Sequence, residues 1–404
     1  MRIRCRHLVP FLASSTAASF SSVPPRPSLR IAVVGDIHGQ WDDDDQSALL
    51  RLKPDLALLV GDFGNEDVGI VRALSKLQEA LPVASILGNH DACFLGRGFA
   101  SVGKRPPSMA TAAPGSQPRL GSSPRFDALR EQHELLRPSN VGWGRADFQS
   151  MKLSVAGGRP LSSGGPSMEK KQELYADLWG VPSSAASAAL LAQHMDAAPE
   201  EHSLVVLAHN GPSGLGTLKT APCGKDWGRD GGDWGDADLE HGLRQASRRA
   251  PLVVFGHMHE RLQGGGKRTM VHAAESGTVY VNAAVVPRWR NAAPLAPSED
   301  SASAVTSASA RSRSAKRSAR SQAAKAAKLE HASPSPRVER AFTLIELAEA
   351  TGGERAVSSV EAVWVRSDGE VVERTRLYEQ QASSTASPSD ASSDSSVSGC
   401  DAGG

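Results

Sequence analysis

The apolar positions of this chain fall into short runs that stop at a glycine and a polar cluster. Residues 29–34 (Leu-Arg-Ile-Ala-Val-Val) run into Gly35 and read as a buried strand. Residues 55–60 repeat the pattern and end at Gly61-Asp62, and residues 82–87 end at Gly88-Asn89-His90-Asp91. Residues 203–208 stop at His209, and residues 252–255 stop at Gly256-His257-Met258-His259. Between these runs, 45–52, 66–80, 126–136, 168–197 and 238–249 carry helical spacing, several with acidic starts or basic ends that suit the helix dipole. Residues 148–156 and 278–286 read as further strands. This alternation of strand and helix predicts an α/β domain with a parallel sheet covered by helices.

Two stretches break the pattern. Residues 97–124 are rich in Gly, Pro, Ser and Ala and read as a long, disordered insertion. Residues 292–337 are low-complexity Ser, Ala, Lys and Arg, too polar and too simple to build a core. Apolar runs resume at 341–347, 362–366 and 371–377, the last two joined by an Asp368-Gly369 hairpin signal. The basic stretch is therefore expected to be an insertion within one domain spanning 29–379, followed by a Ser-rich, acidic, disordered tail over 380–404.

Composition adds limits. Of 404 residues 40% are hydrophobic, and the net charge is +1. That balance gives no support to a global electrostatic partner such as nucleic acid or an anionic membrane. The run at 311–328 is basic, but such a run is more often a solvated loop than a nucleic-acid site. Cys5, Cys93, Cys223 and Cys400 show no paired spacing, which favours a reducing compartment. No apolar run approaches the roughly 20 residues of a membrane span. The first 28 residues hold no acid, with Arg2, Arg4, Arg6 and Arg26 among Ser and Ala, the composition of a transit peptide. A short apolar stretch at 8–13 also fits a weak signal-peptide core, and a tail without an address has the same composition. The expectation is an organelle address, plastid ahead of mitochondrion.

The candidate chemistry lies in five polar clusters, each just past a predicted strand: Gly35-Asp36-Ile37-His38-Gly39, Gly61-Asp62, Gly88-Asn89-His90-Asp91, His209-Asn210 and Gly256-His257-Met258-His259. Ligands of open α/β sheets sit beyond the carboxyl ends of the strands, so these clusters can converge. Carboxylate, imidazole and amide oxygen are hard or borderline donors suited to Zn, Mn or Fe. Asp36 and His38, and likewise His257 and His259, are two apart, so in extended chain each pair points one way. With Asp62, Asn89 and His209 the donors exceed what one tetrahedral ion takes. They suit two divalent ions about 3.5–4 Å apart, bridged by a carboxylate and a hydroxide. Each pair alone is a weak signal, since a lone Gly-Asp is more often a turn. All five in this order make the metal reading.

The order GDIHG, GD, GNHD, HN, GHMH resembles the signature of the calcineurin-like metallophosphoesterases, over about residues 29–282 without the 97–124 insertion. The resemblance implies a four-layer α-β-β-α sandwich with two mixed sheets. It implies that Asp36, His38 and His259 hold one metal, that Asn89, His209 and His257 hold the other, and that Asp62 bridges them. It implies that His90 contacts the phosphate and protonates the leaving oxygen, with Asp91 orienting it. The expected activity is hydrolysis of phosphate mono- or diesters, most simply of a small molecule. Segments at 208–212, 223–227 and 282–288 are similar to a poorly characterised subgroup of cyanobacteria and plant plastids. Ser/Thr protein phosphatases share the first cluster but continue Gly-Asp-x-Val-Asp-Arg-Gly. Here the second cluster reads Gly61-Asp62-Phe63-Gly64-Asn65-Glu66, without the arginine, which weakens a protein-phosphatase reading. The same fold would also serve a nuclease that uses the basic insertion, or a catalytically silent scaffold. The loop at 226–238, with Trp227 and Trp234, reads equally as a lid over the site or as a structural loop. Arg288 reads as a surface salt bridge ahead of a phosphate contact.

Overall fold

The computed structural model describes residues 28–95, 126–292, 338–350 and 354–381. The expected leader, the insertions near 97–124 and 292–337, and the C-terminal tail fall, except at their edges, outside the described residues.

Three strands, β1 (Ser28–Val34), β2 (Leu56–Leu59) and β3 (Val83–Ser85), pair in parallel. They are linked through helices α1 (Asp43–Arg51) and α2 (Val68–Ser75). Helix α1 opens on a reciprocal capping box between Asp42 and Asp45, each carboxylate accepting the other's backbone N–H. Helix α3 (Asp127–Leu136) follows residues 96–125 in the chain. The run at 148–156, expected as one strand, is the second half of a hairpin. Strands β4 (Arg145–Phe148) and β5 (Leu153–Gly157) pair antiparallel across a single 3-10 turn. Lys152 makes the reversal with a left-handed φ of 47°. Helices α4 (Ser167–Trp179) and α5 (Ser184–Asp196) divide the 168–197 run at Gly180, which takes the left-handed C-cap position with φ 71°.

Strand β6 (Ser203–Leu207), helix α6 (Ala237–Gln245), and strands β7 (Leu252–Phe255), β8 (Val271–Ala273) and β9 (Val279–Asn282) complete a six-stranded sheet ordered β4-β5-β6-β7-β9-β8. Its interior pairs are parallel and both edge pairs antiparallel. The remaining strands are β10 (Trp289–Asn291), β11 (Val338–Glu349), β12 (Arg355–Val365) and β13 (Val371–Glu379). They extend the first sheet to seven strands, ordered β13-β12-β11-β1-β2-β3 with β10 beside β11. Both sheets are therefore mixed, a correction to the parallel sheet read from the alternation alone. Strand β1 finds its antiparallel partner in β11, whose Ala348 lies opposite Ser28, and nothing local in the sequence marks that pairing.

The period of two along each strand sorts the side chains into layers. Ile31, Val33, Leu56 and Leu58 of the first sheet share one core with Leu153, Val155, Val205, Leu207, Val254 and Val281 of the second. Their neighbours Ala32, Val34, Ala57 and Leu59 face the other way, toward Leu49, Leu74, Leu129 and Tyr175 of the helices. Leu204, Val206, Val253 and Phe255 pack on Leu191, Met195 and Leu239. The result is helix, sheet, sheet, helix, the expected four-layer α-β-β-α sandwich. Among the described residues no helix is long and apolar enough to cross a membrane.

Candidate metal centre and cleft

The five polar clusters follow β1, β2, β3, β6 and β7, the strands whose carboxyl ends meet at one edge of the sandwich. Asp36, Asp62 and His209 are buried, while His38, Asn89, His90, His257 and His259 are half-buried. Donor atoms of Asp36, His38 and His259 lie within 4.8 Å of one another, as do those of His38, Asp62 and His90, and those of Asp62, His209 and His257. Asn89 Oδ1 stands 3.0 Å from His209 Nε2. Asp62 belongs to two of the groups and connects them.

The backbone is bent to achieve this. His38, Asp62 and His257 have φ of 46°, 54° and 65°, a left-handed region that costs non-glycine residues about 1–3 kcal/mol each. Two glycines make room. A β-carbon on Gly88 would overlap Asp62 Oδ1 and the His209 ring, and one on Gly256 would overlap Asp36 Oδ1. The backbone N–H of His257 donates to both oxygens of Asp36, at 3.1 and 3.0 Å. That of His90 donates to Asp62 Oδ1 at 2.7 Å.

The donor set fits divalent cations. His209 Nδ1–H donates to the carbonyl of Val60 at 2.7 Å, which fixes the ring's orientation and turns Nε2 toward the cluster. That Nε2 stands 3.3 Å from Asp62 Oδ1 and 3.0 Å from Asn89 Oδ1. An imidazole nitrogen, a carboxylate and an amide oxygen thus converge, a donor set that a divalent cation takes. On the other side the Nε2 atoms of His38 and His259 face each other at 3.2 Å, beside Asp36 Oδ2 at 3.4 Å from His259 and Asp62 Oδ2 at 3.8 Å from His38.

Protonation follows burial and charge. Burial, with the neighbouring imidazoles, lowers His257 to about 3. Burial lowers His38 to about 4 against the pull of Asp36, so both rings are neutral donors at pH 7. Burial alone would raise Asp36, but its bond to His259 and the surrounding imidazoles hold it below the usual carboxylate range. Burial and the Asp36 charge push Asp62 well up. Cations between these groups would remove both tensions.

His90 lies beside the cluster, its ring 4.9 Å from that of His38. Asp91 does not orient it. The Asp91 carboxylate turns away into the fold and accepts the backbone N–H groups of Gly88 (2.7 Å), Asp62 (3.0 Å) and Phe63 (2.7 Å), pinning the two ligand loops together. Burial and the nearby Asp62 push it up to about 7. The partner of His90 is Asn65, whose Oδ1 is 2.6 Å from Nδ1. Asn65 stands three residues after Asp62, where the Ser/Thr phosphatase cluster has its second aspartate, and that spacing is the signal in the sequence that points to it.

A cleft of about 360 Å³ opens over the cluster, lined by Asp62, His90, His257 and His259 together with Ser163, Trp227, Trp234, Met258, Arg261 and Gln263. The 226–238 loop divides between its two readings. Trp227 and Trp234 border the cleft, whereas Asp236 and Asp238 are buried and pair with Arg159 at 2.7 and 3.1 Å. Arg268, also buried, ties this region to the candidate metal ligands. It donates to the carbonyls of Lys219, Ala221 and Gly224 at 3.0, 2.8 and 2.5 Å, and to that of His259 at 3.0 Å. Lys171 reaches Ser163 Oγ at 2.7 Å, and burial lowers its amine to about 8. Neither Arg268 nor Ser163 carries a local sequence signal. Arg288 is not a surface residue. It is 1% exposed, pairs with Asp45 at 2.7 Å and points away from the cleft into the first sheet.

Fold and site together define a class: a two-sheet α/β protein with carboxylate and imidazole donors gathered at its strand ends. The family model described as calcineurin-like phosphoesterase matches residues 29–261, more than half of the chain. The protein belongs to that family, hydrolases acting on phosphoester bonds. Among solved structures it is similar to TT1561 of Thermus thermophilus, at 13% identity and TM-score 0.38 over 65% of this chain and 92% of that one. It is also similar to a dimetal phosphatase from Danio rerio, at 10% identity and TM-score 0.34 over 87% and 99% respectively. No curated protein matches.

Proposed function

We propose that this protein hydrolyses small phosphate mono- or diesters with the help of two divalent cations, Mn, Fe or Zn. Asp36, His38 and His259 would hold one, Asn89, His209 and His257 the other, and Asp62 would lie between them. The observation that carries this reading is the convergence of His209 Nε2 with the oxygens of Asp62 and Asn89, beside the donor atoms of Asp36, His38, His257 and His259. When bound, such cations lower the pKa of a shared water and neutralise charge on the phosphoryl oxygens.

The chain's own residues supply the rest. The cleft above the cluster seats the ester. His90 lies at its margin and gives a proton to the departing oxygen as the bond from phosphorus breaks. With Asn65 Oδ1 accepting from Nδ1–H, the acid form of His90 is the imidazolium, which donates from Nε2. Asp91 holds the loops carrying Asp62 and Asn89 in register. The volume of the cleft lies at the small end of the roughly 300–1,000 Å³ typical of small-molecule sites, which supports a small substrate over a folded protein.

The test combines metal analysis of the purified protein with a chromogenic phosphoester assay in added manganese. His90→Ala should lower kcat by about 10²–10⁴-fold with metal content retained. Asp36→Asn should lose both metal and turnover. Unchanged turnover in either variant would overturn the assignment.

A further inference from the structure

We propose that the organic half of the substrate carries a planar aromatic ring, of the nucleotide class, and that this ring binds against Trp227 and Trp234. The inference rests on the phosphoesterase reading of the same cleft and goes beyond it to the substrate.

Two indoles border a cleft that also exposes the metal-ligand candidates Asp62, His257 and His259. Their rings meet edge to face, 5.1 Å between centroids. Both are half-buried, so part of each apolar surface remains in water, an exposure that a binding site justifies and a core does not. Trp234 is rigidly mounted. Its Nε1–H donates to the Ser163 carbonyl at 2.9 Å, and the backbone of Gly164 and Gly165 lies so close to the ring that neither position has room for a β-carbon. Lys225 Nζ stands 5.5 Å from the Trp234 centroid and 5.8 Å from that of Trp227, which keeps a positive charge beside the aromatic pair.

Polar groups for a heteroaromatic ring and its anionic substituents lie in the same wall. Arg261 is exposed, lines the cleft and forms no ion pair among the described residues. Gln263 lines it too, its backbone N–H fixed by Asp226 at 2.8 Å. An amide offers a donor and an acceptor to the edge of a base, and a guanidinium suits a second anionic group. A bare sugar phosphate would leave the indole surface uncovered.

The decisive comparison is adenosine 5′-monophosphate against ribose 5-phosphate, two monoesters of a primary alcohol that differ in the base. With the manganese-loaded full chain, kcat/KM should favour the nucleotide by about tenfold, within what one base stacked on an aromatic side chain contributes. Trp227→Ala should bring that ratio toward one, and Trp227→Tyr should keep most of it, with thermal unfolding confirming that both variants fold. Equal kcat/KM for the two esters, or a Trp227→Ala loss of the same size with both, would overturn the inference. If neither they nor a chromogenic ester turn over, the phosphoesterase reading fails. Calorimetric binding of the same two ligands to the metal-loaded protein then decides the aromatic site separately, with preference for the nucleotide supporting it and equal affinity overturning it.

Discussion

Asn65 is where the chemistry of this site is most exposed to a single change. It meets His90 with an amide oxygen, so no negative charge stands behind the imidazolium. Burial first, and then the neighbouring His209, lower the pKa of His90. The charged acid is therefore lost at a lower pH than for a free histidine. Asn65→Asp would place a carboxylate against Nδ1–H and raise that pKa. The falling limb of the kcat–pH profile should then move to higher pH in the variant, while metal content stays the same. A profile that does not move would remove His90 as the acid. The metal-ligand candidates are legible in the sequence because each cluster sits just past an apolar run, four of the five opening on a glycine, a pattern independent of the rest of the chain. Asn65 is partly legible by its spacing from Asp62. The role of Asp91 is not, because its direction depends on three N–H groups from two loops, which only folding brings within reach.

At the level of elements, the strands that place the ligands are the easiest to see. β2, β7, β1 from Ile31 onward and β6 from Leu204 onward are buried on both faces, so each is a continuous apolar run. The short strands β8 and β10 are half-exposed and carry His272, Arg290 and Asn291, so neither alternation nor an apolar run marks them. The segment between β7 and β8 hides the element with the largest mechanical role. Through Arg268 it clamps three carbonyls of the loop at 219–224 and the carbonyl of His259. Arg268→Met keeps length and apolar contact but removes the donors. It should cost about 2–4 kcal/mol by chemical denaturation, from buried charged hydrogen bonds lost and carbonyls left unpaired. Limited proteolysis should cut the 219–227 region sooner in the variant. Unchanged cleavage would show that the clamp is not what orders the tryptophan-bearing wall.

For the whole molecule, the notable feature is how the late strands are locked in. Asn291 at the end of β10 and Val338 at the start of β11 are direct register partners. The described residues on either side of 293–337 thus lie at neighbouring positions. Asp45 secures this pairing, accepting from Arg288 at 2.7 Å and Trp289 Nε1 at 3.0 Å and pairing with Arg340 at 3.2 Å. Replacing residues 296–334 with a short Gly/Ser linker should therefore preserve metal content and phosphoester turnover. It should raise stability by about 1–2 kcal/mol, because loop-closure entropy grows only with the logarithm of length. Lost turnover with a small ester would instead give the basic stretch a part in catalysis. This closure is the least legible part of the fold, because the apolar pattern of 341–347 reveals a strand and not its partner.

The pairing of β1 with β11 also has a consequence in time. Ser28 and Ala348 face each other across the first sheet, yet they leave the ribosome 320 residues apart. At about 5–20 residues per second, β1 waits roughly 15–60 s for its neighbour. Throughout that interval an apolar strand with unpaired N–H and C=O groups is open to other chains. A nascent or truncated form ending before Val338 would carry every metal-ligand candidate and still present that bare edge. The success of biosynthesis therefore depends on what shields β1 until the last strands arrive.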